Sequence, residues 1–370
     1  MTPNYFDYNA TTPIHPEIKA LVPDWMEVFG NPSSLHGLGK RSNSLLEGAR
    51  KSILDSLGLV GYHIVFTSGG TESNHLAFEF LYHTHVGKRK KVLISSIEHP
   101  CIEKQEKPLR NLGYEVLKIP VSKDGYVDID FIRENIKESI FVSIMSANNE
   151  TGVIQDVKTI SQICSKEDVY FHCDTTQSFG KMKIDLSEID ADSYTISSHK
   201  VYGLKGSGAF VYRTKPFPIF KGGLQEKGLR AGTENLLGIL SLSKVMEILN
   251  TNLEEYLKIQ TDNRNILESG LISMGIEIVG KDSNRLLNTT CILLKNIPND
   301  KSLFNLDKLG ISISKGAACH SGVWEPSPIL LSMGYDRDVA DTSLRISTGI
   351  FTTKEEVEYL LEGLGKLLSN

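Results

Sequence analysis

Short runs of consecutive apolar residues alternate with longer, periodically apolar segments from about residue 60 to about residue 215. HIVFTS (63–68), KVLISSI (91–97), SIFVSIMS (139–146), VYFHC (169–173), SYTIS (193–197) and GAFVYR (208–213) are short and rich in β-branched and aromatic residues. Such runs predict strands buried on both faces. ESNHLAFEFLYHTH (72–85) and VKTISQICSKE (157–167) carry the helical period between them. Strand–helix alternation predicts an α/β fold, a mainly parallel sheet with helices on both faces. After GTENLLGILSLSKVMEIL the texture changes. A long helical region over about 234–275 leads to strands at EIVG (277–280) and TTCILLKN (289–296), then short helices and a final helix at 353–368. The expected division is a large α/β domain over 15–250 and a smaller α+β domain formed by 1–14 and 251–370.

The length of 370 residues agrees with two domains. Forty Lys and Arg against 45 Asp and Glu leave a net charge of −5, which argues against a nucleic-acid surface. The start, MTPNYFDYNATTP, has neither a basic nor an apolar leader region. The apolar stretch LLGILSL (236–242) is far too short to span a membrane. Five cysteines, at 101, 164, 173, 291 and 319, form no CxxC spacing, so neither a disulfide framework nor a thiolate metal site is expected. The expected setting is reducing and cytoplasmic, with no bound metal.

In a parallel sheet, ligands gather at the carboxyl ends of the strands. Gly69-Gly70-Thr71 follows HIVFTS and opens a helix. That is either a phosphate cradle or a plain helix start with Thr71 as N-cap. Neither GxGxxG nor GxxxxGK[ST] occurs. His99 follows KVLISSI, and Asp174 with Gln177 follows VYFHC. Lys200 follows SYTIS, flanked by a glycine-rich segment. Each has a structural alternative: a satisfied histidine, a turn-capping carboxylate, a solvated lysine. Together they are what pyridoxal phosphate requires: a phosphate cradle, a ring-stacking group, a carboxylate for the pyridine nitrogen and a Schiff-base lysine.

From YFDYNATTP and GNPSSLHGLG through FTSGGTESN, EHPC, NNETGVIQD, DTTQSFGK, SSHKVYGLKGSGA, GLRAGTEN and GAACHS to LRISTGIFTTKEEV, the chain resembles the class V (fold type I) pyridoxal-phosphate enzymes. Within them it is similar to the cysteine desulfurases of the NifS/IscS type. The resemblance implies a seven-stranded, mainly parallel sheet and pyridoxal 5′-phosphate as cofactor. It makes Lys200 the Schiff-base lysine, Asp174 the partner of the pyridine nitrogen, Gln177 that of the ring oxygen, and His99 the group stacked on the ring. Gly70, Thr71, Ser197 and His199 would hold the phosphate. Thr233 would complete the phosphate site of a second subunit, which implies a homodimer with shared active sites. Arg345, Asn149 and Asn31 would fix the carboxylate of L-cysteine. Cys319, on a segment of small residues, would take the substrate sulfur as a persulfide. It would then pass the sulfur to an acceptor protein, an iron–sulfur scaffold or a tRNA- or DNA-thiolation enzyme. The GAACHS wording, with His320, also resembles selenocysteine lyases, which release selenide. Thr175 and Leu224 stand where the family commonly has smaller residues. Cys101, Cys164, Cys173 and Cys291 read as packing residues.

Overall fold

The computed structural model describes residues 4–295, 297–316 and 326–369. Cys319 and His320 therefore lie outside the described residues. The strands are β1 (Asn4–Tyr5), β2 (His63–Thr67), β3 (Lys91–Ser95), β4 (Glu115–Ile119), β5 (Ser139–Met145), β6 (Tyr170–Asp174), β7 (Ser193–Ser197), β8 (Gly208–Tyr212), β9 (Glu277–Ile278), β10 (Thr289–Leu293), β11 (Ile311–Ser312) and β12 (Ser343–Ser347).

Seven of them form one sheet in the order β2-β8-β7-β6-β5-β3-β4. The pairs from β7 to β4 are parallel, whereas β8 runs antiparallel to both of its neighbours. Successive side chains of a strand face opposite sides, and the two cores follow this alternation. Ile64, Phe66, Leu93, Val142, Ile144, Ala209 and Val211 pack on one face. Val65, Val92, Ile94, Phe141, Phe210 and Tyr212 pack on the other. The second face is covered by the helix Gly70–His83 through Leu76, Phe78 and Leu81. The first is covered by the helices Gly37–Leu57 and Val157–Lys166 and by the first half of Leu236–Ser273.

A smaller antiparallel sheet, in the order β12-β10-β9, packs its own core against the helix Lys354–Leu368 and against Leu267 and Leu271 at the far end of the long helix. The N-terminal residues join this part: β1 pairs with β11, and Asp7 bridges to Ser347. Because β2 and β8 are antiparallel, β2 points the same way as β7. The carboxyl ends of β2, β3, β5, β6 and β7 therefore meet at one edge, and Gly69-Gly70, His99, Asn149, Asp174 and Lys200 follow them there.

Candidate active site

Two cavities open at this edge. The smaller, about 290 Å³, is lined by Gly70, Thr71, Asp174, Thr176, Ser197 and His199 among others. The larger, about 440 Å³, reaches Glu98, Glu150 and Arg345. Ala10, His99, Asn149, Gln177 and Lys200 border both.

Lys200 ends a single 3-10 turn after β7. Its Nζ donates to the carbonyls of Asn9 (2.6 Å) and Ala10 (2.8 Å), so the N-terminal segment supplies its seat. Asp174 closes β6, buried. Its Oδ1 accepts the Thr176 N–H (2.8 Å) and its Oδ2 accepts Asn74 Nδ2 (2.7 Å). Asn74 sits on the helix Gly70–His83. A carboxylate only accepts, so the amide must turn its oxygen to His172 Nε2 (3.0 Å), which therefore carries the ring proton. The other nitrogen, Nδ1, accepts from Ser193 Oγ (2.8 Å). Burial pushes His172 down to about 4, which agrees with the neutral ring this chain of bonds requires. The result is a fixed line of hydrogen bonds from Ser193 to the Asp174 carboxylate.

His99 caps the helix start after β3, and its Nδ1 accepts the Cys101 N–H (3.2 Å). Burial, with Lys200 adding to it, lowers its pKa and favours the neutral ring. Cys101 packs against the second face of the sheet and also borders the smaller cavity. Burial and Asp174 push its thiol up to about 12. It is a thiol, not a thiolate. Cys164, Cys173 and Cys291 are buried in the cores, as their sequence context implies. Glu98 is also buried, its Oε1 accepting the Met145 N–H (2.7 Å). Burial and Asp174 raise its pKa well above the usual carboxylate range.

At the phosphate end, the helix begins at Gly70 with Gly69 as its cap and no capping side chain. The alternative in which Thr71 is the N-cap does not hold, because Thr71 lies inside the first turn. Gly69 stands at φ 151°, a conformation essentially restricted to glycine. Two hydroxyl oxygens here, Ser197 Oγ and Thr176 Oγ1, are buried and have no protein partner. A Cβ on Gly70 would stand 3.2 Å from Thr176 Oγ1, so the glycine keeps this wall open. Buried hydroxyls without partners are costly. Beside the backbone N–H groups of a helix start they fit an acceptor-only phosphate. His199 borders the same space, its Nδ1 3.1 Å from Thr11 Oγ1. Burial, then Lys200 and Lys205, hold it down to about 4. The residues present thus fit pyridoxal phosphate at both ends: hydroxyls and a helix start for the phosphate, Asp174 for the pyridine nitrogen.

Arg345 lies on β12, buried. It donates from Nη2 to Asp7 Oδ1 (2.7 Å) and from Nη1 to the Asn149 carbonyl (3.1 Å), while its buried Nε has no partner. Asn149 O also accepts from Asn9 Nδ2 (3.1 Å). Asn31 and Thr233 are exposed and line neither cavity of this chain, and Asn31 Oδ1 accepts the Ser33 N–H (2.9 Å). Thr175, larger than the family's usual residue, is absorbed by donating from Oγ1 to the Thr195 carbonyl (2.6 Å). Sequence reasoning missed Asn9, Asn74, Thr176 and Lys181, although all four lie inside the stretches that carry the resemblance. No cluster of metal-ligating side chains occurs among the described residues.

Residues 4–360 match the family model described as aminotransferase class-V. The cysteine desulfurase IscS of Dictyoglomus turgidum is 36% identical over 370 residues, 98% of this chain and 94% of that protein. Cysteine desulfurase IscS 1 of Archaeoglobus fulgidus is 39% identical over 365 residues, 97% and 95% of the two chains. A solved NifS-like protein superposes with a TM-score of 0.92 at 32% identity, covering 99% of each chain. The chain therefore belongs to the class-V aminotransferases, in their pyridoxal-phosphate-dependent cysteine desulfurase branch.

Proposed function

We propose that the chain removes sulfur from L-cysteine, leaves L-alanine, and holds the sulfur as a persulfide on Cys319 for transfer to an acceptor protein. One observation carries this reading: a lysine, a carboxylate and a phosphate-fitting wall meet at the smaller cavity, and the same lysine borders the larger cavity, which a buried arginine of the small sheet lines. Bound pyridoxal phosphate would supply an electron sink that acidifies the substrate Cα–H. Lys200, between the Asn9 and Ala10 carbonyls, is placed to take that proton and return it. Neutral His99 serves proton movement on the ring side. Arg345 and Asn149 orient the substrate carboxylate, the arginine exchanging its Asp7 contact for it. The Cys319 thiolate attacks the substrate sulfur. As the Cβ–S bond breaks, its electron pair stays with the three-carbon product, which is protonated and leaves as alanine.

The functional unit in this reading is a homodimer. Thr233 and Asn31 stand outside this chain's own cavities, and Asn31 lies in a segment where Phe29 (75% exposed) and Leu35 (88%) face solvent. Apolar patches of this kind mark interfaces. Light scattering on the holoenzyme is expected to give twice the chain mass of 41.1 kDa. A monomer at micromolar concentration contradicts the dimer.

The selenocysteine lyase reading rests on the GAACHS wording. Alanine formation from cysteine and from selenocysteine, with and without Cys319→Ser, separates the two. We expect cysteine turnover that Cys319→Ser abolishes. Turnover of selenocysteine alone, surviving that substitution, would sink the desulfurase reading.

A further inference from the structure

Lys181 is 2% exposed, with its Nζ 2.6 Å from Gln177 Oε1 and 3.0 Å from Asn9 Oδ1. No carboxylate forms an ion pair with it among the described residues, and after burial itself the cations Lys200 and Arg345 further disfavour its charge. An ammonium there would leave a third N–H unmet and would cost several kcal/mol for an uncompensated buried charge. An uncharged amine has two N–H donors for the two oxygens found. The count matches.

Both amides are fixed by what their other ends meet. Gln177 Nε2 donates to the Asn9 carbonyl (3.1 Å), which only accepts, so Oε1 must face Lys181. Asn9 Nδ2 donates to the Asn149 carbonyl and to Thr289 Oγ1, so Oδ1 must face Lys181 as well. The Asn9 carbonyl that receives Gln177 is the one that receives Lys200 Nζ. Lys181 thus sits behind the wall of both cavities, tying the side chain of Gln177 to the segment that seats the reactive lysine.

We propose that Lys181 is a positioning residue whose N–H bond to Gln177 Oε1, anchored by its second bond to Asn9 Oδ1, holds Gln177 with an N–H donor, rather than its carbonyl, toward the cofactor's ring oxygen. The inference rests on the desulfurase reading and adds to it a determinant of the cofactor's charge state. A donor on the ring oxygen stabilises its negative charge and weakens its hold on the proton it shares with Lys200 Nζ. Without Lys181, Gln177 Oε1 loses its donor, and only the longer bond from Nε2 to the Asn9 carbonyl (3.1 Å) still holds the amide's orientation.

The test is a pH titration of the visible absorbance of the purified holoenzyme. Lys181→Met should raise the midpoint by about one unit, a tenfold change in proton affinity. Gln177→Met should raise it equally, and the double variant should add nothing further, because both changes remove the same bond. An unshifted midpoint in Lys181→Met, or additive shifts in the double variant, overturns the proposal. Should Lys181→Met not fold, Lys181→Ser, whose hydroxyl stops three bonds short of the Nζ position, removes the donor to Gln177 Oε1 and serves the same test, with a shift expected and an unshifted midpoint overturning it. A wild-type protein that stays colourless with pyridoxal phosphate would sink the desulfurase reading itself, and this inference with it.

Discussion

His172 is fully buried between Asn74 and Ser193, and its pKa falls to about 4 because the charged ring would lose its water. The folded chain therefore excludes a proton that the unfolded chain, titrating near about 6.5, accepts. Stability from this group is intact above about pH 6.5 and declines as the pH falls toward 4. Between pH 7 and pH 5 the loss amounts to about 1–2 kcal/mol. Urea unfolding at the two pH values should show the wild type losing that much more than His172→Phe. Equal losses in the two proteins would contradict the neutral, bridging ring. Lys200, Asp174, His99 and Gln177 were legible at this scale because each follows a strand end, and strand ends converge. Asn9, Asn74 and Lys181 were not. Their roles come from partners far away in the chain, 100 residues in the case of Asn74 and Asp174 and 172 in that of Asn9 and Lys181. An apolar–polar pattern marks them as polar and says nothing about whom they meet.

Six of the seven strands of the large sheet could be read as apolar runs, and the observed strands fall within two residues of them. The missed strand, β4, reads EVLKI, with Glu115 and Lys118 breaking the run. It forms the sheet's edge, where partial burial tolerates both. The antiparallel course of β8 is a second feature that hydrophobicity alone does not encode. A signal for it does exist: only residues 198–207 separate β7 from β8, too few for the crossover that parallel strands require. The 3-10 turn at Ser198–Lys200 uses this short connection to present Lys200 at the sheet edge. The helix Gly70–His83 begins as a strand-to-helix turn should, but its cap is the backbone of Gly69 rather than a side chain. That leaves the first-turn N–H groups for a ligand.

Across the whole molecule, the site joins parts that the chain keeps far apart. Lys200 and Asp174 come from the large sheet, Arg345 from the small one, and Asn9 connects them. Through its side chain Asn9 meets Thr289, Asn288 and Lys181, and through its backbone Lys200, Gln177 and Ser347. Placing so many directional bonds on one 1% exposed residue fixes the two parts against each other at the reactive lysine. Such a site can orient a substrate and move its protons, but among the described residues the one thiol bordering its cavities, Cys101, is held protonated by burial, which pushes it up to about 12. In the proposed function the sulfur goes instead to Cys319. The direct measurement is to incubate the holoenzyme with ³⁵S-labelled cysteine, trap thiols by alkylation and map the label. Label on the Cys319 peptide, released by a reductant and missing from a Cys319→Ser variant that keeps its cofactor colour, is the predicted result. Label retained by that variant, or absent from a coloured wild type, would contradict the account.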